Sequence, residues 1–217
     1  MDERDSYKHR GLRKKLIDSL RAKNTVDEAV LKAINEVPRH LFMDSAFLEF
    51  AYQDQAFPIG SGQTISQPYT VGFQSTLLNV TQGMKILEIG TGSGYQCAVL
   101  SRMGAKVFSI ERQKALYKAA GKILKDLRIT AKLFYGDGYR GLPTFAPFDR
   151  ILVTCGAPAI PKSLYSQLAI GGVMVVPVGE GDVQVMHKIV KNGEDDYLVT
   201  THGSFRFVPM LEDKQSI

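Results

Sequence analysis

From Met84 onward, short apolar runs alternate with amphipathic stretches, and few folds accommodate that alternation. Met84–Ile89, Lys106–Ile110, Ala131–Tyr135, Arg150–Thr154 and Val173–Val178 read as strands. Gln96–Met103 and the stretch after Ile110 carry apolar residues at helical spacing. Strands separated by helices predict βαβ units, and therefore an α/β fold with a mostly parallel sheet covered by helices on both faces. The end of the chain breaks the pattern. Val183–Val190 and Tyr197–Phe207 are separated only by the turn signal Asn192-Gly193-Glu194, which predicts an antiparallel hairpin closing the sheet.

The preceding residues read differently. Residues 1–56 form an expected N-terminal helical cap. Leu12, Leu16 and Leu20 make one stripe. Thr25 and Glu28 have capping-box spacing ahead of Ala29, Val30, Ala33 and Ile34, and Pro38 lies past the end. Asp44–Tyr52 reads as a third short helix. Residues 57–80 are expected to be an irregular loop over Phe57–Pro68, where two glycines and two prolines argue against a regular element, and then a helix from Pro68 with Val71, Leu77 and Leu78 inward. Residues 84–217 form the α/β core, and the whole chain reads as one domain.

Composition excludes several classes. Of the 217 residues 44% are apolar and 23% charged, which rules out collagen-like, disulfide-framework and wholly disordered chains. Two cysteines, Cys97 and Cys155, make no framework and point to a reducing compartment. Met1–Lys15 is charged throughout, with no leader pattern, and the longest apolar stretch, near Gly171–Gly179, is too short to span a membrane. A cytoplasmic monomer is expected. The net charge of +5 is concentrated between Arg112 and Lys132, where seven Lys/Arg face one acid, Asp126. A nucleic-acid partner could explain such a run. The interleaved Leu116, Ala120, Ile123 and Leu124 favour a solvated helix face, so no nucleic acid is expected.

The chemistry starts at Ile86-Leu-Glu-Ile-Gly-Thr-Gly-Ser-Gly-Tyr95, which runs from strand through glycine turn to helix. Gly90, Gly92 and Gly94 let a ligand approach the backbone, and the helix start offers free N–H groups. Glu111 ends the next strand, 19 residues after Gly92, where an acid can accept both ribose hydroxyls of a nucleoside. Spacing and charge select which nucleoside. G-x-G-x-G with Tyr95 departs from the dinucleotide pattern, and Glu88, read as inside the turn region, would repel a pyrophosphate. A ligand carrying an ammonium and a sulfonium is favoured instead: S-adenosylmethionine rather than NAD.

Other candidates are weaker. Asp137, between Gly136 and Gly138 at the end of a strand, could accept from an adenine amino group or merely form a turn. Val153-Thr-Cys-Gly-Ala-Pro158 lacks the Asn/Asp-Pro-Pro-aromatic motif of amine methylation, and Cys155 reads as a small buried thiol rather than a nucleophile. The four histidines, His9, His40, His187 and His202, show no metal-ligand spacing, so no metal is expected. In Gly60-Ser-Gly-Gln-Thr-Ile-Ser-Gln-Pro68, Thr64, Ser66 and Gln67 offer neutral hydrogen-bond donors.

Pro58-Ile-Gly-Ser-Gly-Gln-Thr-Ile-Ser-Gln-Pro68, Leu87-Glu-Ile-Gly-Thr-Gly-Ser-Gly-Tyr95, Gly136-Asp-Gly138 and Arg206-Phe-Val-Pro209 occur in that order. Together they resemble the protein-L-isoaspartate O-methyltransferase family, from Val37-Pro-Arg39 to Pro209. The Gly-Gln-Thr-Ile-Ser-Gln-Pro loop is the family-specific part. The resemblance implies a Rossmann-like methyltransferase sheet of seven strands, the last inserted antiparallel. It implies that Thr64, Ile65, Ser66 and Gln67 lie between cofactor and substrate, with Ser66 the usual active-site residue. Glu88, Gly90 and Gly92 would surround the methionine end of S-adenosylmethionine, Glu111 would hold the ribose, and Asp137 and Gly138 would meet the adenine. Ala157, Pro158 and Arg206, Phe207, Val208 and Pro209 would shape a peptide groove, which Thr64 would also border. Cys155 and Met210 depart conservatively from the usual residues.

The implied activity is methyl transfer to the free α-carboxylate of L-isoaspartyl residues in damaged proteins and peptides. The ester then closes to a succinimide that reopens in part to aspartate. A carboxylate is already ionised at neutral pH, so the reaction requires no general base, and the sequence shows none. An RNA methyltransferase, suggested by the basic helix and Cys155, is the alternative; a non-catalytic basic binding module is a second.

Overall fold

A computed structural model describes residues 5–215. Helix α1 (Tyr7–Arg21) buries Leu16, Ile17 and Leu20, with Leu12 half-buried beside them. Helix α2 (Glu28–Glu36) buries Val30, Leu31, Ala33 and Ile34, while Ala29 faces solvent. The expected capping box does not form. Glu28 bonds Arg21 at 2.6 Å instead, and the Thr25 hydroxyl turns to Tyr69 at 3.3 Å. The third helix is a 3-10 turn over Ser45–Phe50, started by Asp44, which accepts from the Ala46 N–H at 2.9 Å.

The stretch expected to be irregular contains a hairpin. Strands β1 (Phe57–Gly60) and β2 (Gln63–Ile65) pair antiparallel. The connecting residues Ser61 (φ 52°) and Gly62 (φ 66°) both take the left-handed conformation that tight two-residue hairpins require. Glycine supplied the turn here rather than preventing a strand, and Pro58 sits in a short ribbon with few ladder bonds to lose.

Helix α3 (Pro68–Leu78) follows, with Pro68 in its first turn and Val71 and Leu78 buried; Leu77 is half-buried. The core then runs β3 (Lys85–Ile89), α4 (Tyr95–Arg102), β4 (Lys106–Glu111), α5 (Lys114–Asp126), β5 (Ala131–Tyr135), β6 (Phe148–Val153), α6 (Lys162–Tyr165), β7 (Leu168–Val178), β8 (Gln184–Lys191) and β9 (Tyr197–Phe205). The seven-stranded sheet has the order β5-β4-β3-β6-β7-β8-β9. All pairs from β5 to β7 are parallel, and β7–β8 and β8–β9 are antiparallel. The last strand is therefore not inserted. It lies at the edge, and β8 is the antiparallel strand between β7 and β9, because each short loop delivers the next strand beside its predecessor.

The two faces of the sheet are covered unequally. On one, Ile86, Val107, Leu152 and Val175 pack against α1–α4 and Leu124 of α5. On the other, Leu87, Ile151 and Met174 pack with a ring cluster of Phe108, Phe134, Phe145 and Phe148, turns, Met210 and, as the helix among the described residues, the four-residue α6. Aromatic area there replaces the second helical layer that βαβ reasoning leads one to expect. Arg39 ties the cap to the core. Its wholly buried guanidinium lies 5.0 Å from the centre of the Tyr95 ring and donates to the Gln55 carbonyl at 3.2 Å. Burial brings its pKa down to about 10, so it stays charged at neutral pH.

Candidate active site

The parallel strands end together, and a crevice opens beyond their carboxyl ends beside β3. Its floor is the glycine turn. Gly90, Gly92 and Gly94 have φ of 95°, 54° and 88°, a region that L side chains rarely adopt. A Cβ on Gly90 would lie 2.5 Å from Thr154 Oγ1, and the Thr154 hydroxyl holds the turn through the Gly90 carbonyl at 2.7 Å. The left-handed backbone and the neighbouring Thr154 thus keep the floor of this cradle free of side chains.

Glu111 closes one side of the cradle. Its Oε2 accepts from Gly92 N–H at 2.8 Å and its Oε1 from Gln113 N–H at 2.7 Å. Each carboxylate oxygen retains a second lone pair, so both can still accept from a diol. Burial raises its pKa, and the N–H groups of Gln113 and Gly92 oppose the rise.

Glu88 is placed differently from the sequence expectation. It lies inside β3, wholly buried, and does not border the cavity. Ser109 Oγ donates to its Oε2 at 2.5 Å, and Ser109 in turn meets Thr91 Oγ1 at 2.6 Å in the cavity wall. Its Oε1 has no hydrogen-bond partner among the described residues. Burial pushes its pKa up to about 8, with Glu111 adding to the rise and Ser109 opposing it. Glu88 is therefore linked to the crevice wall through Ser109 and Thr91, since the alternation of a fully buried strand points it under the wall.

Thr64, Ile65 and Ser66 enter the crevice from β2 and the residue after it, and Ile59 rests its Cδ1 3.5 Å from where a Gly92 Cβ would stand. The hairpin thus lies over the glycine turn. Gly138, Val208 and Pro209 complete the wall that sequence reasoning assembled. Gly138 cannot carry a side chain, because its Cβ would sit 2.4 Å from Ile89 Cγ2. A second hollow lies beyond, bordered by Gln67, Tyr69, Arg206 and Phe207. Thr64, Ser66, Thr154 and Val208 border both hollows.

Gln67, also expected at the cofactor, borders the second hollow and not the first, its amide donating to the Asp54 carbonyl at 2.9 Å. Three further expected residues are elsewhere. Asp137 takes the turn-forming alternative, accepting from Tyr139 N–H at 2.9 Å to start the Gly138–Arg140 turn. Ala157 is pulled into the core by bonds with Pro177 and Gly179, and Pro158 is exposed; neither borders a hollow. Residues that sequence reasoning missed include Thr91, Thr154, Arg112, Met210 and Leu211. Thr91 lay inside the glycine motif and Thr154 inside the strand-end motif Val153–Pro158, which were the signals that could have found them. Cys155 also borders the crevice, and burial holds its thiol neutral, with a pKa of about 12, as expected of a packing thiol. His9 and His40, read as scattered, stack at 3.8 Å, and with Asp5 their ligand atoms lie within 4.8 Å of one another. Arg13 occupies both oxygens of Asp5 at 3.0 and 2.9 Å, so a guanidinium stands where a cation would have to enter.

The family pattern of protein-L-isoaspartate(D-aspartate) O-methyltransferases matches residues 11–215. The chain belongs to this family. Among similar proteins, the protein-L-isoaspartate O-methyltransferase of Flavobacterium johnsoniae is 57% identical over 97% of this chain and 99% of its own. That of Cytophaga hutchinsonii is 56% identical over 95% of this chain and 94% of its own. A solved protein-L-isoaspartate O-methyltransferase superposes with a TM-score of 0.82 at 31% identity, covering 91% of this chain and 65% of that one. The fold is also that of a Plasmodium falciparum structure described as a putative protein-L-isoaspartate O-methyltransferase with S-adenosyl-L-homocysteine, at a TM-score of 0.82, 24% identity and coverage of 92% and 98%. The cofactor of this protein-L-isoaspartate O-methyltransferase family is S-adenosylmethionine, and the glycine cradle with Glu111 fits it. Nothing favours the RNA methyltransferase. The basic helix α5 turns Leu116, Ala120 and Leu124 inward and spreads its lysines over an ordinary solvated face.

Proposed function

We propose that the crevice holds S-adenosylmethionine, that the second hollow holds an extended isoaspartyl peptide, and that methyl transfer to the isoaspartyl α-carboxylate takes place where they meet. The observation that carries this is the seam of Thr64, Ser66, Thr154 and Val208, shared by both hollows and free of charged side chains. S-adenosylmethionine supplies a methyl group on a sulfonium, and the substrate carboxylate oxygen takes it, leaving neutral S-adenosylhomocysteine and a methyl ester. An anion and a cation neutralise each other, so the seam must orient the carboxylate and exclude water without stabilising new charge. Ser66 and Thr64 donate to the carboxylate, Glu111 holds the ribose diol, and Arg206, Phe207 and Val208 meet the peptide backbone. The neighbouring backbone nitrogen then attacks the ester carbonyl and gives up its proton as methanol leaves, forming the succinimide that water reopens in part to aspartate, a stage that needs no catalyst.

Among the described residues no helix is long and apolar enough to cross a membrane. A cytoplasmic monomer fits this reading, and size-exclusion chromatography tests the monomer. The deciding assay is transfer of labelled methyl to an isoaspartyl peptide and to its aspartyl isomer. Labelling of the first alone supports the repair reaction, and equal labelling of both overturns it.

A further inference from the structure

The wall of the crevice opposite the hairpin is a strap of chain, residues 209–215, laid over the carboxyl ends of the strands. One end is pinned beyond β6: Gly156 N–H donates to the Val208 carbonyl at 2.8 Å, and Met210 N–H donates to the Gly156 carbonyl at 2.8 Å. The other end is held by Arg112. Its Nε donates to the Asp213 carbonyl at 2.8 Å, its Nη2 to the Glu212 carbonyl at 3.0 Å, and its Nη1 to Gln215 Oε1 at 3.2 Å. Gln215 N–H returns a bond to the Arg112 carbonyl at 2.9 Å, and Gln113 Nε2 reaches Gln215 Oε1 at 2.8 Å. Between the two anchors, Met210 and Leu211 face the crevice.

The two anchors differ in kind. The Gly156 end is backbone ladder beside the buried Met210, while the Arg112 end is exposed: a short backbone bridge holds Gln215 alone, and the Arg112 side chain adds three bonds that reach from Glu212 to Gln215. A guanidinium spreads its donors over a rigid planar fork that matches acceptors on separate residues, whereas an ammonium projects its three from a single nitrogen. Arg112 follows Glu111 directly, so the clamp and the expected ribose acceptor share one strand end.

We infer that Arg112 is a positioning residue for the cofactor, acting through the strap: by clamping residues 212–215 it presses Met210 and Leu211 against the adenosine and sets how fast the nucleoside leaves. The inference rests on the reading of the crevice as the S-adenosylmethionine site. The test is stopped-flow dissociation of S-adenosylhomocysteine from the full chain, with thermal unfolding of the ligand-free protein as a control. Arg112→Ala is expected to speed dissociation about tenfold or more, to raise KM for S-adenosylmethionine with little loss of kcat, and to leave ligand-free unfolding nearly unchanged. Arg112→Lys is expected to be as fast as Arg112→Ala. Leu211→Ser, which keeps the clamp and removes an apolar strap contact, should give a smaller acceleration and keeps the test alive if the Arg112 variants fold poorly. Unchanged dissociation in Arg112→Ala, or full restoration by Arg112→Lys, overturns the strap, the latter because charge alone would then suffice. Failure of the unaltered protein to bind S-adenosylhomocysteine would instead overturn the cofactor reading.

Discussion

At Ser66 the hydroxyl stands between both hollows and bonds no other described group, so it is not spent on holding the loop. A donor to an already charged nucleophile is strongest in the ground state, so it orients rather than selectively stabilises the transition state. Ser66→Ala should lower kcat/KM by about ten- to a hundredfold without abolishing turnover, as loss of one charge-assisted bond predicts; total inactivity of a folded, cofactor-binding variant would contradict this. Glu111→Gln keeps one carbonyl acceptor but removes the charge, and calorimetry should show S-adenosylhomocysteine bound about tenfold more weakly. Glu88 gives a pH signature. Its pKa rises from 4.5 to about 8 on folding, so between those values the folded protein holds more proton than the unfolded one, and its stability falls as pH rises. Glu88→Gln should flatten that dependence, with a relative gain of order a few kcal/mol at pH 8 compared with pH 5 in urea unfolding; parallel pH profiles for the two proteins would show that Glu88 ionises normally.

The hairpin β1–β2 shows what sequence reasoning reaches and where it stops. The motif residues Thr64, Ile65 and Ser66 were legible as site residues, yet the segment was read as irregular because Gly and Pro were counted as breakers. Ser61 and Gly62 are instead the two left-handed residues that close it. The capping box failed for a related reason: Arg21 on the neighbouring helix competes for Glu28, and a contact across a turn is invisible to local spacing. Ala157 and Pro158, implied by the family resemblance, are elsewhere because Ala157 pairs with the end of β7 and Pro158 turns to solvent. Because the hairpin bears on the glycine turn through Ile59, Ile59→Ala should loosen it without unfolding the core. Hydrogen exchange at Thr64 and Ile65 should quicken several-fold while the amides of β3 and β4 keep their protection.

In the molecule as a whole, the alternation of runs disclosed the parallel sheet and the final hairpin. It did not disclose the order of the last strands, which is set by which edge each connection reaches, nor the thin helical cover on the face of Phe108 and Phe148. The crevice draws on β2, the turn after β3, the end of β4 and the chain after β9, so a ligand bound there should stabilise the entire fold. S-adenosylhomocysteine at 100 times its Kd should add about 2.7 kcal/mol, a shift in Tm of roughly 5–10 °C for a chain of this size. A bound ligand that left Tm unmoved would place its site outside the cooperative unit. The strap adds an element of timing. Its contacts with Arg112 join residues 100 to 103 positions apart in the chain. At ribosomal rates of about 5–20 residues per second, the glycine turn and the end of β4 emerge roughly 5–20 s before the segment that roofs them. Until residues 209–215 have been made, the crevice lacks the wall that Met210 and Leu211 supply.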